Sequence, residues 1–380
     1  MSRSTPVPIT PSVLFWAIEQ SGYQLVELAS ALDVSPVEIE QWLSGVSVPS
    51  ISTARKLANK LHRPLAAFLL PSPPASAPLQ VEFRHSLQDR VSPNPTERRY
   101  LRRAKRFQQT LSWLVRELRA DKPVVPPRTW DSDPGPAAEI ARKSLGVSAG
   151  DQRGWATAAV AFDHWRSALE HIGLSVFLFS MGNDSCRGFS LWDEFAPVIA
   201  VNTAWNEAAR VFTLFHELGH LVTRTSSACL ESGRSKDDEV ERWCERFSAH
   251  LLMPTSDVYS ALTEYGWRRD TLVDDLAMAG RIATRYKVSL RAATIRLIDI
   301  KAADWNLYER IPRLSDNKKP GGGGNGRDRT EIKEDEVGRR TTSLLISAVE
   351  RDLLDRSQAV ELLDIPDAKF DDLPVVDSVG

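Results

Sequence analysis

The sequence predicts a multidomain protein. A small all-α module comes first, an α+β domain with a small antiparallel sheet follows, and a short helical tail ends the chain. Apolar residues recur with helical spacing near the N-terminus, and three short strand-like runs precede an apolar helix in the middle of the chain. Proline-rich and glycine-rich segments separate these parts. The length of 380 residues also exceeds that of one typical domain.

Residues 10–72 are predicted to form the all-α module. Apolar residues recur every three or four positions from Leu25 to Leu32, and Ser35-Pro36-Val37-Glu38 has the pattern of a capping box with proline at the first helical position. A third helical segment begins near Ile51. The order of residues resembles the helix-turn-helix of the Xre/Cro/CI repressor family at Leu28-Ala29, Leu32, Val34-Ser35, Ile39, Trp42, Gly45 and Pro49-Ser50.

The resemblance implies that the helix after Ser35 is a recognition helix, and its candidate DNA-binding residues are Val37, Glu38 and Gln41. DNA contact needs cations for phosphate, but no Lys or Arg lies between Arg3 and Arg55. The alternative is that the module pairs with another repressor-type domain, or recognises a protein substrate, without contacting DNA.

A proline-rich linker is predicted over residues 73–95, and a basic amphipathic helix over residues 96–122. This helix has nine Lys or Arg against three Asp or Glu, and its apolar stripe includes Tyr100, Phe107 and Leu111. The stripe favours a helix that docks on the following domain and leaves its basic face in solvent. Phosphate contact and a dimer seam are the alternatives.

The α+β domain is predicted over residues 96–310. Residues 174–180, 188–192 and 197–202 have the composition of short strands separated by turn residues, which favours an antiparallel sheet. A sheet edge beside the following helix would let an extended peptide add as a further strand.

That helix contains the pattern His216-Glu217-Leu218-Gly219-His220 inside an apolar run. Side chains four residues apart lie on one face of a helix, so His216 and His220 can bind one metal ion together. Glu217 lies beside the pair and can act as a general base on a water, a role that H-E-x-x-H motifs assign to it in zinc peptidases. A stray motif would more often lie on a polar surface helix.

A catalytic zinc site needs a third protein ligand. A helix predicted over residues 237–253 carries Glu241, which could complete the set, and Glu245, which could accept a hydrogen bond from a ligating histidine. A solvated acidic face is the alternative for Glu245. Cys244 and Cys229 could in principle coordinate the ion, but small buried thiols are the favoured interpretation. The helical angle places His250 opposite Glu241, so it is not predicted to be a ligand.

These residues resemble the ImmA/IrrE family of metallo-endopeptidases. The resemblance covers Phe212-Thr213 and the His216 to His220 motif, then Glu241 to Pro254, in which Cys244 and Glu245 depart from the usual Ala and Asn or Asp. It implies a zincin-like domain that binds Zn²⁺ through His216, His220 and Glu241, with Glu217 as catalytic base.

The resemblance also implies a regulatory endopeptidase whose protein substrate is a repressor-type transcription regulator. The predicted partner is therefore this protein substrate, with DNA contact through the helix-turn-helix and a homodimer both left open. Two alternative functions remain: an Xre-type transcriptional regulator whose peptidase-like domain serves as a sensor, and a component of a toxin-antitoxin pair.

The remaining features concern the C-terminal part and the cellular context. Residues 311–340 contain a glycine-rich run and are predicted to be a disordered linker before a helical tail over 341–380. Three cysteines without framework spacing indicate a reducing compartment, and no apolar run reaches the roughly 18 residues of a membrane span. A cytoplasmic protein without membrane contact is expected, and a net charge of -2 gives no global nucleic-acid signature.

Overall fold

The computed structural model describes residues 5–74, 93–225, 234–312 and 328–373. Of these, residues 5–74 and 93–103 belong to one compact unit, and the others belong to a second. The division falls within one long helix. Among the described residues, no helix is both long and apolar enough to cross a membrane.

The first unit is helical, as its periodicity predicts. Its core is formed by apolar side chains from every helix, including Leu14, Leu28, Ile39, Trp42 and Leu57. Its elements are α1 (Pro11–Ser21), α2 (Leu25–Leu32), α3 (Pro36–Leu43), α4 (Ile51–Lys60) and a 3-10 helix (Leu65–Leu69).

The turn between α2 and α3 follows directly from its residues. Asp33 ends α2 with a φ of 59°, a left-handed conformation that short polar residues tolerate. Ser35 then caps α3, since its hydroxyl accepts a hydrogen bond from the Glu38 N–H at 3.3 Å, while the Glu38 carboxylate accepts from the Ser35 N–H at 2.8 Å. The predicted capping box is therefore confirmed, with Pro36 at the first helical position.

Helix α5 (Pro95–Glu117) is shorter than the predicted 96–122. It ends early because Arg119 adopts a φ of 55°, and the Ala120 N–H bonds back to the Val115 carbonyl. The linker predicted over 73–95 lies largely outside the described residues. From Ala104 onward the apolar stripe of α5 is buried in the second unit, where the rings of Phe107 and Phe177 lie 5.3 Å apart.

The second unit combines a small sheet with many helices. Its elements are α6 (Pro134–Ser144), α7 (Ala149–Gly154), α8 (Ala158–His171), β1 (Ser175–Phe179), β2 (Gly188–Leu191), β3 (Val198–Asn202), α9 (Glu207–Thr223), α10 (Arg234–Leu252), α11 (Thr255–Glu264), α12 (Leu276–Tyr286), α13 (Leu290–Asp299), α14 (Trp305–Glu309), α15 (Arg329–Val337), α16 (Arg339–Glu350), α17 (Arg356–Leu363) and a 3-10 helix (Asp367–Lys369).

The sheet is mixed, with the strand order β1-β3-β2. Strand β2 pairs antiparallel with β3, whereas β1 pairs parallel with it, so that Ser175 lies opposite Val198. The prediction of an antiparallel sheet is therefore wrong for one of the two strand pairs. Short strands separated by turn residues suggested consecutive hairpins, but the chain passes from β1 to the far side of the sheet and leaves the middle position for β3.

The C-terminal helices pack on the same unit. Helix α15 packs on β1, and α16 contacts α8. Gly338, with a φ of 84°, lies against Glu170, and the Arg340 N–H donates to that carboxylate at 3.3 Å. The prediction of disorder over 311–340 is wrong for its last part, because α15 forms there and buries Val337. Residues 313–327 lie outside the described residues. The predicted helical tail is confirmed by α16 and α17.

Candidate metal centre

Helix α9 is built from clear local signals. The Asn206 side chain caps it by accepting a hydrogen bond from the Ala209 N–H at 2.9 Å, and Arg224 ends it with a φ of 57°. Its apolar side chains are buried, and Phe215 packs edge-on against Trp165 with ring centroids 4.8 Å apart. The H-E-x-x-H motif therefore lies on a rigid, buried helix, as its apolar surroundings predict.

Three of the predicted ligands converge on one point. The Nε2 atoms of His216 and His220 lie 3.2 Å apart, and the Glu241 carboxylate approaches them at 3.2 and 3.4 Å, respectively. One donor atom from each residue lies within 4.8 Å of the others. The pair of histidines comes from α9, and the carboxylate comes from α10.

The two helices can pack this closely because Gly219 faces α10. A Cβ atom at Gly219 would lie 3.0 Å from the Cys244 Sγ, which leaves no room for a side chain. Cys244 is fully buried, and burial raises the pKa of its thiol well above the usual range. This placement agrees with a small buried thiol at position 244. Cys229 lies outside the described residues.

The carboxylate and the histidines perturb each other strongly. Burial alone would lower the pKa of His216, but the hydrogen bond to Glu241 and the nearby charges of Glu217 and Glu245 outweigh burial and raise it to about 9. Burial alone would raise the pKa of Glu241, yet hydrogen bonds to His216 and His220 hold it well below its usual range. The cluster therefore favours positive charge at its donor atoms, which suits a divalent cation.

Glu217 is buried, with 4% of its surface exposed, and it lines the same cleft as His216 and Glu241. Strand β2 approaches this carboxylate closely. A Cβ atom at Gly188 would lie 2.6 Å from the Thr213 Cγ2 and 3.4 Å from the Glu217 Cγ. Gly188 therefore allows the strand to pack directly on the motif.

The loop before β2 is anchored by Asn202, which is fully buried at the end of β3. Its side-chain amide donates to the carbonyls of Gly182 and Cys186 at 2.8 and 2.9 Å, and its oxygen accepts from the Met181 N–H at 3.2 Å. These bonds satisfy the loop backbone and bring Gly188 to the cleft. Sequence reasoning missed this asparagine because it looks like an ordinary strand end.

A threonine lies beside the distal nitrogen of His220, where its hydroxyl (Thr225) is 3.4 Å from Nδ1. Glu245 is exposed and lines the cleft, and its hydrogen bond to a ligating histidine stays a prediction. Thr225 reaches His220 because Arg224 adopts a left-handed conformation and turns the chain back on the helix end. The motif spacing contains no signal for this contact.

His250 lies away from the cluster. Its Nε2 is 3.4 Å from the Asp299 carboxylate, and Arg296 lies 3.3 Å from its Nδ1. The described residues hold it in a network between α10 and α13. This placement agrees with the angular argument that His250 faces away from Glu241.

The cleft over the cluster has a volume of about 570 Å³. Its far wall is formed by residues that no motif predicted, including Arg187, Ser289, Arg291 and Tyr308. Arg291 donates a hydrogen bond from Nη1 to the Tyr308 hydroxyl at 3.2 Å. Only the tertiary fold brings these residues to the histidines, since Arg187 precedes His216 on another element and Ser289, Arg291 and Tyr308 lie about 70 to 90 positions further along the chain.

Two family models match the chain. The model of the IrrE N-terminal-like domain matches residues 169–297, a range that contains the sheet, both histidines and Glu241. The chain therefore carries an IrrE-like domain. A helix-turn-helix model matches residues 14–68, which contain most of α1 and all of α2 to α4. No curated protein matches the chain.

The match to the IrrE-like domain indicates a metallopeptidase-like domain, and the helix-turn-helix match indicates a DNA-binding regulator. The donor set fits this assignment, because two imidazole nitrogens and one carboxylate are ligands of catalytic zinc sites.

The predicted DNA-binding residues lie on the exposed side of α3, where Val37 has 58% of its surface exposed and Gln41 is exposed. Glu38, by contrast, uses its carboxylate in the cap of α3.

Proposed function

We propose that the IrrE-like domain is a zinc-dependent endopeptidase that hydrolyses a peptide bond in a partner protein, namely a repressor-type regulator. The observation that supports this most strongly is the convergence of His216, His220 and Glu241, with Glu217 beside them on one cleft. A purely structural metal site would use a fourth protein ligand and would not need a base.

Zinc held by these three residues would polarise a peptide carbonyl and lower the pKa of a water molecule to about 7. Glu217 would take a proton from the attacking water and pass it to the leaving amine. Its position on α9, one residue after His216, would hold the carboxylate beside the reacting atoms. The close approach of Gly188 limits the freedom of this side chain further.

The substrate would bind in an extended conformation along β2. Strand β2 is an edge strand of the sheet, whose order is β1-β3-β2, and its first residue, Gly188, lines the cleft. A peptide added beside β2 would gain main-chain hydrogen bonds and carry its scissile carbonyl past Glu217.

Arg291 and Tyr308 would stabilise the negative charge that develops on the carbonyl oxygen. The phenol of Tyr308 accepts a hydrogen bond from the Arg291 cation, so its own O–H remains available to donate. Donors placed where charge develops are a large term in peptide hydrolysis. Both residues line the cleft that contains Glu217.

The helix-turn-helix module would bring the peptidase to its target. The exposed residues Val37 and Gln41 on α3 could contact DNA bases, or the module could pair with the related domain of a repressor. The exposed face of α3 lacks Lys and Arg, so phosphate contact must come from other elements.

The test uses purified wild type, Glu217→Gln and Glu207→Gln. The last variant removes a carboxylate from the first turn of the same helix and serves as the matched control. Bound zinc is counted, and each protein is incubated with repressor-type proteins of its host. We expect about one zinc per chain in all three proteins and at least a roughly hundredfold loss of cleavage in Glu217→Gln alone.

Equal cleavage by wild type and Glu217→Gln would reject the assigned base. If all three proteins bind zinc and none cuts a repressor, with or without a stress signal, a regulator with a sensory metal site becomes the better account.

A further inference from the structure

A second cleft lies in the first unit, whereas the candidate zinc ligands His216, His220 and Glu241 belong to the second unit. It has a volume of about 500 Å³ and is formed by residues of α2, α4 and the first turns of α5. Its polar lining includes Tyr23, Lys56, Asn59, Lys60, Thr96 and Arg99. Among the described residues that line it, none is acidic and none comes from α3.

The cations around this cleft fall into two groups. Arg98 and Arg102 donate hydrogen bonds to the carbonyls of Glu19 and Gln20, where they satisfy the C-terminal end of α1. Lys56, Lys60 and Arg99 line the cleft instead, and within the described parts of the chain none of them forms an ion pair with a carboxylate.

Within the described residues, Glu97 forms no ion pair with these three cations. It is the acidic residue of the first turn of α5, but it is buried and its carboxylate accepts a hydrogen bond from the Asn94 N–H at 2.7 Å. Lys60 lies over the ring of Tyr23, with its Nζ 5.0 Å from the ring centroid, which holds the ammonium at the cleft wall.

Burial and the cations both lower the pKa of a histidine that lines the cleft, His62. Partial burial lowers the pKa of His62 to about 4, and Arg99, Arg102 and Lys60 add to this effect by repelling a further proton. A concave site with several cations and this little compensating charge attracts anions.

We propose that this cleft binds a phosphate group. Lys56, Lys60 and Arg99 would supply charge-assisted hydrogen bonds to the phosphate oxygens, and Thr96, Asn59 and Tyr23 would supply neutral donors. The first turn of α5 also presents the positive end of a 23-residue helix. A volume of about 500 Å³ exceeds that of a bare phosphate and leaves room for a larger molecule that carries the group.

The same chemistry occurs in a free phosphorylated small molecule and in the backbone of nucleic acid. In either case the site is separate from α3, which carries the residues that the helix-turn-helix pattern assigns to base contact. The proposal therefore adds a binding site that does not depend on the peptidase activity.

The test measures binding to the full-length protein by titration calorimetry, with inorganic phosphate, ATP and a 20-base-pair duplex DNA as separate probes. The test variant is Lys56→Gln. The matched control is Arg55→Gln, because Arg55 is an exposed cation on the adjacent position of α4 that does not line the cleft. Arg99→Gln serves as a second test variant if Lys56→Gln does not fold, as judged by circular dichroism.

We expect saturable binding of at least one probe, weakened about tenfold or more by Lys56→Gln or Arg99→Gln and less than about twofold by Arg55→Gln. Binding of phosphate or ATP would identify a free phosphorylated ligand, whereas binding of the duplex alone would identify a nucleic-acid backbone. The proposal is overturned if no probe binds at millimolar concentration, or if all the variants weaken binding equally, since that result indicates diffuse charge.

Discussion

Helices α9 and α3 both carry recognisable sequence motifs, but the motif side chains of α9 converge on one site whereas those of α3 are buried in the core. In α9, His216 and His220 meet Glu241 of another helix at one point, and Glu217 lies beside them. In α3, Ile39 and Trp42 are buried in the core. The first motif consists of residues that chemistry requires, whereas the second consists mainly of residues that the fold requires.

The carboxylates of Glu217 and Glu38 show the same difference. Each lies at a position that its sequence motif defines: Glu217 directly follows His216, and Glu38 comes three residues after the N-cap Ser35. Glu217 lines a cleft beside two imidazoles, whereas Glu38 accepts a hydrogen bond from the Ser35 N–H, which holds the pKa of Glu38 below its usual value. The α9 motif therefore predicts a site, and the α3 motif predicts a fold without naming what the module binds.

Removal of Glu241 should have the largest effect, because two histidines alone leave the ion with too few ligands. We expect Glu241→Ala to weaken zinc binding by more than about 100-fold, which exceeds the usual cost of losing a residue that only supports a ligand. Zinc affinity is measured by competition with a chelator. Glu239→Ala is the control, since Glu239 is exposed on the same helix. Unchanged affinity in Glu241→Ala would mean that the third ligand lies elsewhere.

The next effect concerns the contact between β2 and α9. Gly188→Ala places a methyl group 2.6 Å from the Thr213 Cγ2 and 2.8 Å from the Ala200 carbonyl oxygen, so the strand must move. We expect a loss of about 1–3 kcal/mol in the free energy of unfolding. Cleavage should fall by about tenfold or more while zinc stays bound, because β2 moves at the wall of the cleft beside Glu217 whereas the three ligands on α9 and α10 keep their positions.

Thr213→Ser provides the matched rescue for this prediction. The substitution removes the Cγ2 atom and keeps the hydroxyl that bonds to the Ala209 carbonyl. The double variant should therefore recover part of the lost stability and activity. If Gly188→Ala behaves like wild type, the close approach of the strand does not position the base.

The sequence predicts the centre of the site better than its surroundings, for a physical reason. The positions of His216, Glu217 and His220 follow from helical periodicity, and Glu241 follows from a second helix with its own acidic pattern. Thr225 and Tyr308 depend on a chain reversal and on tertiary packing, respectively, which no local spacing encodes. The parallel pairing of β1 with β3 escaped prediction for the same reason, since short strands do not specify their neighbours.

Thr225 offers a smaller test of the same distinction. If the His220 Nδ1–H donates to the Thr225 hydroxyl, the Nε2 lone pair stays directed at the metal position. We expect Thr225→Val to weaken zinc binding about tenfold, the lower end of the cost of losing such a partner. Glu245→Gln should weaken it less, because Glu245 is exposed. The reverse order would support Glu245, rather than Thr225, as the residue that orients a ligating histidine.

The smallest expected effect tests the α3 side of the comparison. Ser35→Ala removes the hydroxyl that caps α3, and a lost N-cap costs about 1 kcal/mol. Thermal unfolding of the full-length protein, followed by circular dichroism, should show the transition of this helical unit at a lower temperature in the variant. Ser30→Ala is the control, since Ser30 is exposed on α2 and its loss should leave stability nearly unchanged.

Zinc content and cleavage of a free substrate should be the same in both variants, because the capped helix belongs to the other unit. A change in cleavage in Ser35→Ala alone would show that the module acts on the peptidase, and the separation between a fold motif and a site motif would then fail.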